Sequence, residues 1–404
     1  MTNITVIGAG EVFRKRYLSA TAILHKKYDL NITDVVDVRS PDLISAELCH
    51  KSADNRVRVH QLLDTTSQGL VNLLKSQNLP RQVIISTPTV FHVPYATALL
   101  KHHMMVCVEK PFAATRQQVD EFDKVVREIG INRLFLLEYY ALEKGLPAFV
   151  LANKNSENSQ LYLNYLIPKV KSDLIQDVRS KLGRVQRIHA VLLEGSGSAS
   201  RLDQRSWVLE PSSGGNTLET FYHLICMALP FLGQIKQIEI NGVELACHRT
   251  TAEWFRQSTG KNTAETLTYA YLKTQDGIET RLVCAKYVPE SLHERWMDIE
   301  FEHGRAFVDF ENCTLKVMGL DFDLCLSLRF KTKYATQFAL FAEKLQNSSN
   351  PTEYAIFRDA LIMTFDIRDK GLKSSINKYD SGDLARPQLW KHWGFDSVIK
   401  PLAK

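Results

Sequence analysis

An apolar strand pattern over residues 4–8 ends at Gly8-Ala9-Gly10 and passes at once into a helical stretch from about Glu11 to Tyr28. A glycine at the first position allows the chain to turn tightly out of a strand. A second one two residues on lets a ligand approach bare backbone at a helix N-terminus, where N–H groups without intrahelical partners attract anions. The next strand pattern, Ile32 to Asp37, ends in an acidic residue 29 positions after Gly8. Strand, glycine turn, helix and acid-tipped strand make a βαβ unit with parallel strands.

The alternation continues. A helix around Pro41 to His50, a strand at Gln82 to Ser86, a helix at Val93 to His102 and a strand at Met105 to Glu109 follow. After them come a helix at Thr115 to Ile129 and a closing strand at Arg133 to Glu138. This is the pattern of a doubly wound parallel sheet. Beyond Gly145 the period changes to long alternating strands: Val185 to Leu193, Ile235 to Ile240, Thr266 to Thr274, Glu279 to Val288, Trp296 to Glu302 and Ala306 to Phe310. Turn signals at Gln275-Asp276-Gly277 and His303-Gly304 predict antiparallel hairpins. The expected architecture is α/β, with an N-terminal Rossmann domain over residues 1–145. A C-terminal α+β domain over 146–404 carries a large, open, mostly antiparallel sheet. Helices at Ala335 to Gln346 and Pro351 to Lys370 and the tail bearing Trp390 and Trp393 are expected to return to the Rossmann domain.

Composition narrows the function classes. The chain has 404 residues, 45% of them hydrophobic and 24% charged, with a net charge of +5. Two domains of ordinary globular character fit that length without stabilising metals or disulfides. The basic residues are dispersed, so nucleic acid is not expected as a partner. No apolar run reaches the ~18 residues of a membrane span, no basic and apolar leader precedes the first strand, and the expected location is the cytoplasm. Seven cysteines (Cys49, Cys107, Cys226, Cys247, Cys284, Cys313, Cys325) lie far apart in the sequence. They form no CxxC pair, so no metal is expected, and they read as buried small hydrophobes.

In the glycine turn, Gly8, Gly10, Glu11, Val12 and Phe13 are the residues that would face a dinucleotide, with Phe13 standing where a third glycine is usual. Asp37 would take a ribose hydroxyl and repel a 2′-phosphate, while Arg39 and Ser40 beyond it would accept one. NAD and NADP both remain open on these residues.

Two further runs make the pattern specific: Val83 to His92, containing Ser86-Thr87-Pro88 and His92, and Val106 to Phe112, containing Glu109-Lys110-Pro111. Together with the opening turn they resemble the paired signatures of the Gfo/Idh/MocA oxidoreductases. The resemblance implies a Rossmann domain joined to an α/β domain with an open antiparallel sheet. It also implies hydride transfer on sugars, inositols and their derivatives, and pairing of copies through the C-terminal sheet. It places Ser86, Thr87, Pro88, His92, Glu109 and Lys110 at the cofactor, with Lys110 at the nicotinamide and a cis bond before Pro111. The run Gly214 to His223 resembles the family's glycine-rich entry to a helix with an acid and a histidine four positions later, here Glu219 and His223. Glutamate replaces the usual aspartate.

Hydride transfer to or from an alcohol carbon needs a group that moves the hydroxyl proton and a cation beside the developing oxyanion. Lys110 and His223 fit those roles, and Glu219 would orient the substrate or the imidazole. Tyr140 and Lys144, after the last Rossmann strand, and Arg205 and Trp207, before the glycine-rich turn, are candidate substrate contacts. Imine reduction in a biosynthetic pathway and non-catalytic dinucleotide sensing are the alternative functions.

Overall fold

The computed structural model describes residues 2–49, 57–152, 162–167, 172–195, 209–211, 215–288, 293–319, 324–330, 332–347, 353–374, 376–380, 383–385 and 387–395. The chain divides into two compact units. One is Met1–Glu143 with Arg329–Ala355; the other is Lys144–Leu328 with Ile356–Lys404.

The first unit is built on six parallel strands: β1 (Thr2–Ile7), β2 (Leu30–Asp37), β3 (Arg58–Gln61), β4 (Gln82–Ile85), β5 (Met105–Val108) and β6 (Leu134–Leu136). Their spatial order is β3-β2-β1-β4-β5-β6, so the winding reverses between β1 and β4, which is where a doubly wound sheet binds its ligand. Ile4, Val6, Val35, Val36, Ile84 and Val106 are fully buried, because a parallel sheet takes helices on both faces. The helices are α1 (Leu18–Tyr28), α2 (Pro41–Cys49), α3 (Ser67–Ser76), α4 (His92–Lys101) and α5 (Arg116–Ile129). In α5 the Thr115 hydroxyl caps the N-terminus by accepting from the Gln118 N–H, the apolar side chains Val119, Phe122, Val125 and Val126 are buried, and Gly130 at φ +87° ends the helix.

The second unit begins with α6 (Leu146–Ala152), a short strand β7 (Leu166–Ile167) and α7 (Ser172–Leu182). It continues with β8 (Val185–Gly195), α8 (Tyr222–Leu232), β9 (Ile238–His248), α9 (Arg249–Thr259), β10 (Leu267–Thr274) and β11 (Glu279–Val288). Next come β12 (Arg295–Phe301), β13 (Gly304–Asp309), β14 (Thr314–Met318) and β15 (Leu324–Leu328). Two helices follow: α10 (Ala335–Asn347), which lies in the first unit, and α11 (Glu353–Leu372), which starts there and ends in the second. Strand β16 (Asn377–Tyr379) and α12 (Pro387–His392) close the described chain. The sheet has ten strands in the order β16-β9-β10-β11-β8-β12-β13-β14-β15-β7. It is mostly antiparallel, with parallel pairs at β8–β11 and β9–β16.

One face of this sheet presents the fully buried Ile188, Ala190, Leu192, Leu282, Cys284, Met297, Ile299, Ala306 and Val308, and α8 packs against β8. On the opposite face Val191, Leu193, Leu267, Tyr269, Val283 and Ala285 form a core with Tyr379, Leu384, Trp390, Trp393 and Phe395. These tail residues therefore pack on the sheet of their own unit. Helix α10 belongs to the first unit. It packs on α1, and its Lys344 ammonium donates to the carbonyls of Ile131 and Leu134.

Strands β3, β7, β14, β15 and β16 and helix α3 were not legible in the sequence. β3 reads Arg-Val-His-Gln, an edge strand with no apolar alternation, and β7 and β16 are two and three residues long. Among the cysteines, Cys107, Cys226, Cys247 and Cys284 are buried, but Cys313 is half-buried and Cys325 exposed. On β15 the side chains alternate, and Cys325 falls on the solvent side. No helix among the described residues is long and apolar enough to cross a membrane.

Candidate functional site

In the first unit the candidate residues gather at the C-terminal ends of β1, β2, β4 and β5. Gly8 leaves β1 at φ +100°, and a Cβ there would stand 2.4 Å from the Ser86 carbonyl oxygen at the end of β4. Only glycine allows this approach. Gly10 differs, since a Cβ there would meet nothing within 4 Å. The open side of Gly10 lies at the start of the first helix, a cradle of the kind that takes a pyrophosphate. Beside the Gly8 turn, the Thr87 hydroxyl is buried with no hydrogen-bond partner among the described residues. These features fit a dinucleotide.

Asp37 is drawn into the glycine turn. One carboxylate oxygen accepts from the Ala9 N–H at 2.7 Å, and the other accepts from the Arg39 N–H and Nε, each at 3.0 Å. Burial pushes this carboxyl up, but the hydrogen bonds from Arg39 and Ala9 outweigh it and hold it below the usual carboxylate range. Arg39 also donates to the Ala9 carbonyl at 2.9 Å and pairs with Glu47, which in turn meets Arg14 at 2.8 Å. Ser40 accepts from the Ile44 N–H in the first turn of α2.

Glu11 forms an i,i+4 pair with Lys15, and Val12 is half-buried. Phe13 is fully buried and opens a π turn, Phe13–Tyr17, ahead of α1. Where a glycine would bring the helix close to the strand, the ring of Phe13 fills core instead.

The Ser86-Thr87-Pro88 and Glu109-Lys110-Pro111 segments are joined by His92. Its Nδ1 lies 2.9 Å from the Pro111 carbonyl oxygen and its Nε2 2.8 Å from that of Thr87. His92 is buried between these two loops. Burial pushes its imidazole below the ordinary histidine range, against the pull of the two carbonyls. The Lys110–Pro111 bond is cis. The Glu109 side chain turns back, with one oxygen accepting from the Lys110 N–H at 3.0 Å and the other from the Tyr17 hydroxyl at 2.5 Å. Burial raises the Glu109 carboxyl, and the Tyr17 hydrogen bond and the Lys110 charge offset only part of this. Tyr334, which precedes α10, stacks on Tyr139 at 5.1 Å and meets Tyr17 edge-on at 5.4 Å. Tyr17 and Tyr334 were missed in the sequence because their partners lie far away in the chain.

A second π turn, Tyr140–Lys144, runs across the first boundary between the units, at Glu143. Tyr140 is buried edge-on against Tyr139, and Glu143 accepts from the Tyr334 N–H at 2.6 Å.

In the second unit a third π turn, Thr217–Phe221, runs into α8 and carries Glu219, with His223 on the first turn of α8. Glu219 is half-buried and His223 buried. A row of alternating charge starts at Glu219. The Lys286 ammonium lies 3.8 Å from Glu219 and 4.0 Å from Glu194, Arg295 bridges Glu194 (3.5 Å) and Glu311 (3.3 Å), and Lys144 and His293 each lie 3.9 Å from Glu311. Glu194 and Lys286 are opposite each other in the β8–β11 register, at the end of strands whose preceding inward residues are apolar. Lys286, Glu194 and Arg295 were not singled out from sequence, although a charge ending the inward register of a strand is a usable signal. Arg205, Trp207 and Gly214 lie outside the described residues.

The family model for NAD-binding Rossmann-fold oxidoreductases, GFO_IDH_MocA, matches residues 2–132. No curated protein matches the chain by sequence. Among solved structures, KijD10, a 3-ketoreductase from Actinomadura kijaniata in complex with NADP, aligns with a TM-score of 0.61 at 16% identity. The alignment covers 93% of this chain and 99% of that one. UDP-N-acetylglucosamine 3-dehydrogenase GnnA from Acidithiobacillus ferrooxidans aligns with a TM-score of 0.61 at 16% identity, over 91% and 96% of the two chains. At such identity these likenesses establish the two-part fold. Over residues 2–132 the chain carries the NAD-binding Rossmann domain of the Gfo/Idh/MocA oxidoreductases.

Proposed function

We propose that this protein is an NAD(P)-dependent dehydrogenase or reductase acting on a secondary alcohol, or its ketone, of a sugar, cyclitol or related small metabolite. One observation carries the reading. A single buried histidine, His92, sits between the Thr87 and Pro111 carbonyls, with one ring nitrogen within 2.9 Å of each, so the loop beside the glycine turn and the loop bearing Lys110 pack on the same side chain. KijD10 and GnnA, whose names describe a 3-ketoreductase and a UDP-N-acetylglucosamine 3-dehydrogenase, support a sugar carbonyl as the reacting group.

The bound nicotinamide would supply or accept the hydride. Gly10 leaves room for the pyrophosphate at the helix N-terminus, and the Thr87 hydroxyl offers a donor at the same turn. Lys110 holds the substrate oxygen and stabilises negative charge as it develops there, which is worth most in a site shielded from water. His223 takes the hydroxyl proton on oxidation and returns it on reduction. Glu219, one helical turn earlier and faced by Lys286, orients a substrate hydroxyl.

For the cofactor's ribose the tip of β2 favours NAD. A 2′-phosphate would have to draw Arg39 away from both Asp37 and Glu47, and two carboxylates would then face it. The test is to titrate the purified protein with NAD and NADP and then assay the loaded protein on a panel of hexoses and cyclitols with their ketones. Tight nucleotide binding with turnover on the panel supports the reading. Binding without turnover on alcohols, ketones or imines would make the protein a sensor instead.

A further inference from the structure

The helix carrying Glu219 and His223 begins without a side-chain hydrogen bond from its cap residue, Asn216. It begins on Glu265, a residue 46 positions beyond Glu219, at the entry to β10. Glu265 is 1% exposed. Its Oε1 accepts from the Thr217 hydroxyl at 2.5 Å, from the Thr217 N–H at 3.3 Å and from Arg368 Nε at 3.3 Å. Its backbone carbonyl accepts from the Asn216 N–H at 3.0 Å. The approach is so close that a Cβ on Gly215, which sits at φ +58°, would stand 2.8 Å from the carboxyl group. Gly215 thus belongs to the same device: the glycine turn exists here to bring the helix start down onto a buried carboxylate.

Physical chemistry makes this an expensive way to start a helix. A Ser, Thr or Asp at the cap position satisfies the first N–H groups locally and contributes about 1 kcal/mol. Burying a carboxylate costs several kcal/mol unless cations and donors compensate it. Arg368 and the positive end of the helix dipole supply that compensation, yet Oε2 remains buried with no hydrogen-bond partner among the described residues. The Thr217 hydroxyl also meets that of Thr268 at 2.9 Å, and the Asn216 amide donates to the Cys284 carbonyl at 3.2 Å. The start of the turn is therefore fixed to two strands, β10 through Thr268 and β11 through the Cys284 carbonyl.

We propose that Glu265 is a positioning residue of the reaction, setting the height and rotation of the turn that presents Glu219 and His223. The inference rests on the reading of His223 as the proton-transferring group. Misplacement by about 1 Å of a group that acts in the transition state costs turnover more than it costs ground-state binding.

The experiment compares Glu265→Gln, Glu265→Ala, Thr217→Val and His223→Asn in the full chain. The assay uses saturating NAD and the panel alcohol that the wild type oxidises fastest. Backbone amide exchange over residues 217–223 and the nucleotide Kd are measured on the same samples. Glu265→Ala is expected to lower turnover by about 10- to 100-fold with KM changed less than about threefold and nucleotide affinity unchanged. Amide exchange in the 217–223 turn should accelerate selectively. Glu265→Gln should recover most of the turnover, because its amide oxygen still accepts from Thr217. If Glu265→Ala does not fold, Thr217→Val decides, with a fall of about fivefold or more expected. Wild-type turnover in a folded Glu265→Ala or, in its absence, Thr217→Val protein overturns the proposal. So does a KM that rises while kcat stays constant. Wild-type turnover in His223→Asn would instead overturn the reading of the site on which the proposal rests.

Discussion

Gly8 and Gly10 stand two residues apart and do different work. Gly8 is required by its neighbour, since any side chain would run into the Ser86 carbonyl, and its replacement should destabilise the fold. Gly10 has free space around it, so Gly10→Val should fold normally while its branched side chain fills the cradle. We expect its nucleotide Kd to rise by about 100-fold or more, roughly 2.7 kcal/mol, with a melting temperature close to wild type. Calorimetry and a melting curve on one sample check both halves, and unchanged affinity would remove the glycine turn from the cofactor site. Asp37 is a second residue whose structural role exceeds what its position in the sequence conveys. The sequence placed an acid at the end of β2, but its hydrogen bond to the Ala9 N–H appears only when β1 and β2 are brought side by side. Asp37→Ser should weaken NAD and shift the NAD:NADP preference toward NADP by about tenfold, as like-charge repulsion is relieved. A constant ratio of the two dissociation constants would take Asp37 out of cofactor choice.

At the scale of elements, three π turns, Phe13–Tyr17, Tyr140–Lys144 and Thr217–Phe221, each coincide with a segment singled out from its sequence. A π turn inserts one residue into a helix and often marks a functional site, but nothing in the hydrophobic period announces it. Length and apolar patterning made β8 and β10 to β13 legible, while of β9 only the start, Ile238–Ile240, was read as strand. Side-chain alternation places His189 on the tail-covered face of β8, beside Phe395 at 5.0 Å and among Arg187, Arg281 and Arg305. Burial first, then these guanidinium charges, push its imidazole down to about 3, from an ordinary 6.5. The folded state therefore keeps His189 neutral where the unfolded chain protonates it. Stability from this group is intact above pH 6.5 and is lost as pH falls from there toward 3, by up to the order of 5 kcal/mol. Between pH 7 and 4 the wild type should lose urea stability relative to His189→Leu as pH falls. Parallel curves would mean that His189 titrates alike in the folded and unfolded chains.

For the whole molecule, what the sequence conceals is long-range placement. Residues 329–355 lie almost 200 positions beyond β6, yet they complete the Rossmann unit through α10 and its Lys344. Similarly, Glu265 meets Thr217 only because the fold brings the entry to β10 beside the helix start, 48 positions away in the chain. The tail is the clearest case. Its indoles did signal docking, but Tyr269 stacks on Trp393 at 5.5 Å, and the cluster seals the apolar part of the second unit's sheet. Trp393→Ala should cost about 3–5 kcal/mol and uncover Val191, Val283 and Tyr269. A concentration-dependent increase in mass by light scattering is expected in the variant, and a stable monomer would show that the tail does not shield a self-associating face.

The central claim is that Lys110 and His223 serve one proton and one oxygen. It is tested most directly by turnover of Lys110→Met, His223→Asn and the double variant at saturating cofactor. Each single change should lower turnover by a factor on the order of 10² to 10⁴ with nucleotide affinity nearly unchanged, and the double variant should be little worse than the poorer single one. Wild-type turnover in His223→Asn, or losses that simply multiply in the double variant, would contradict that shared role.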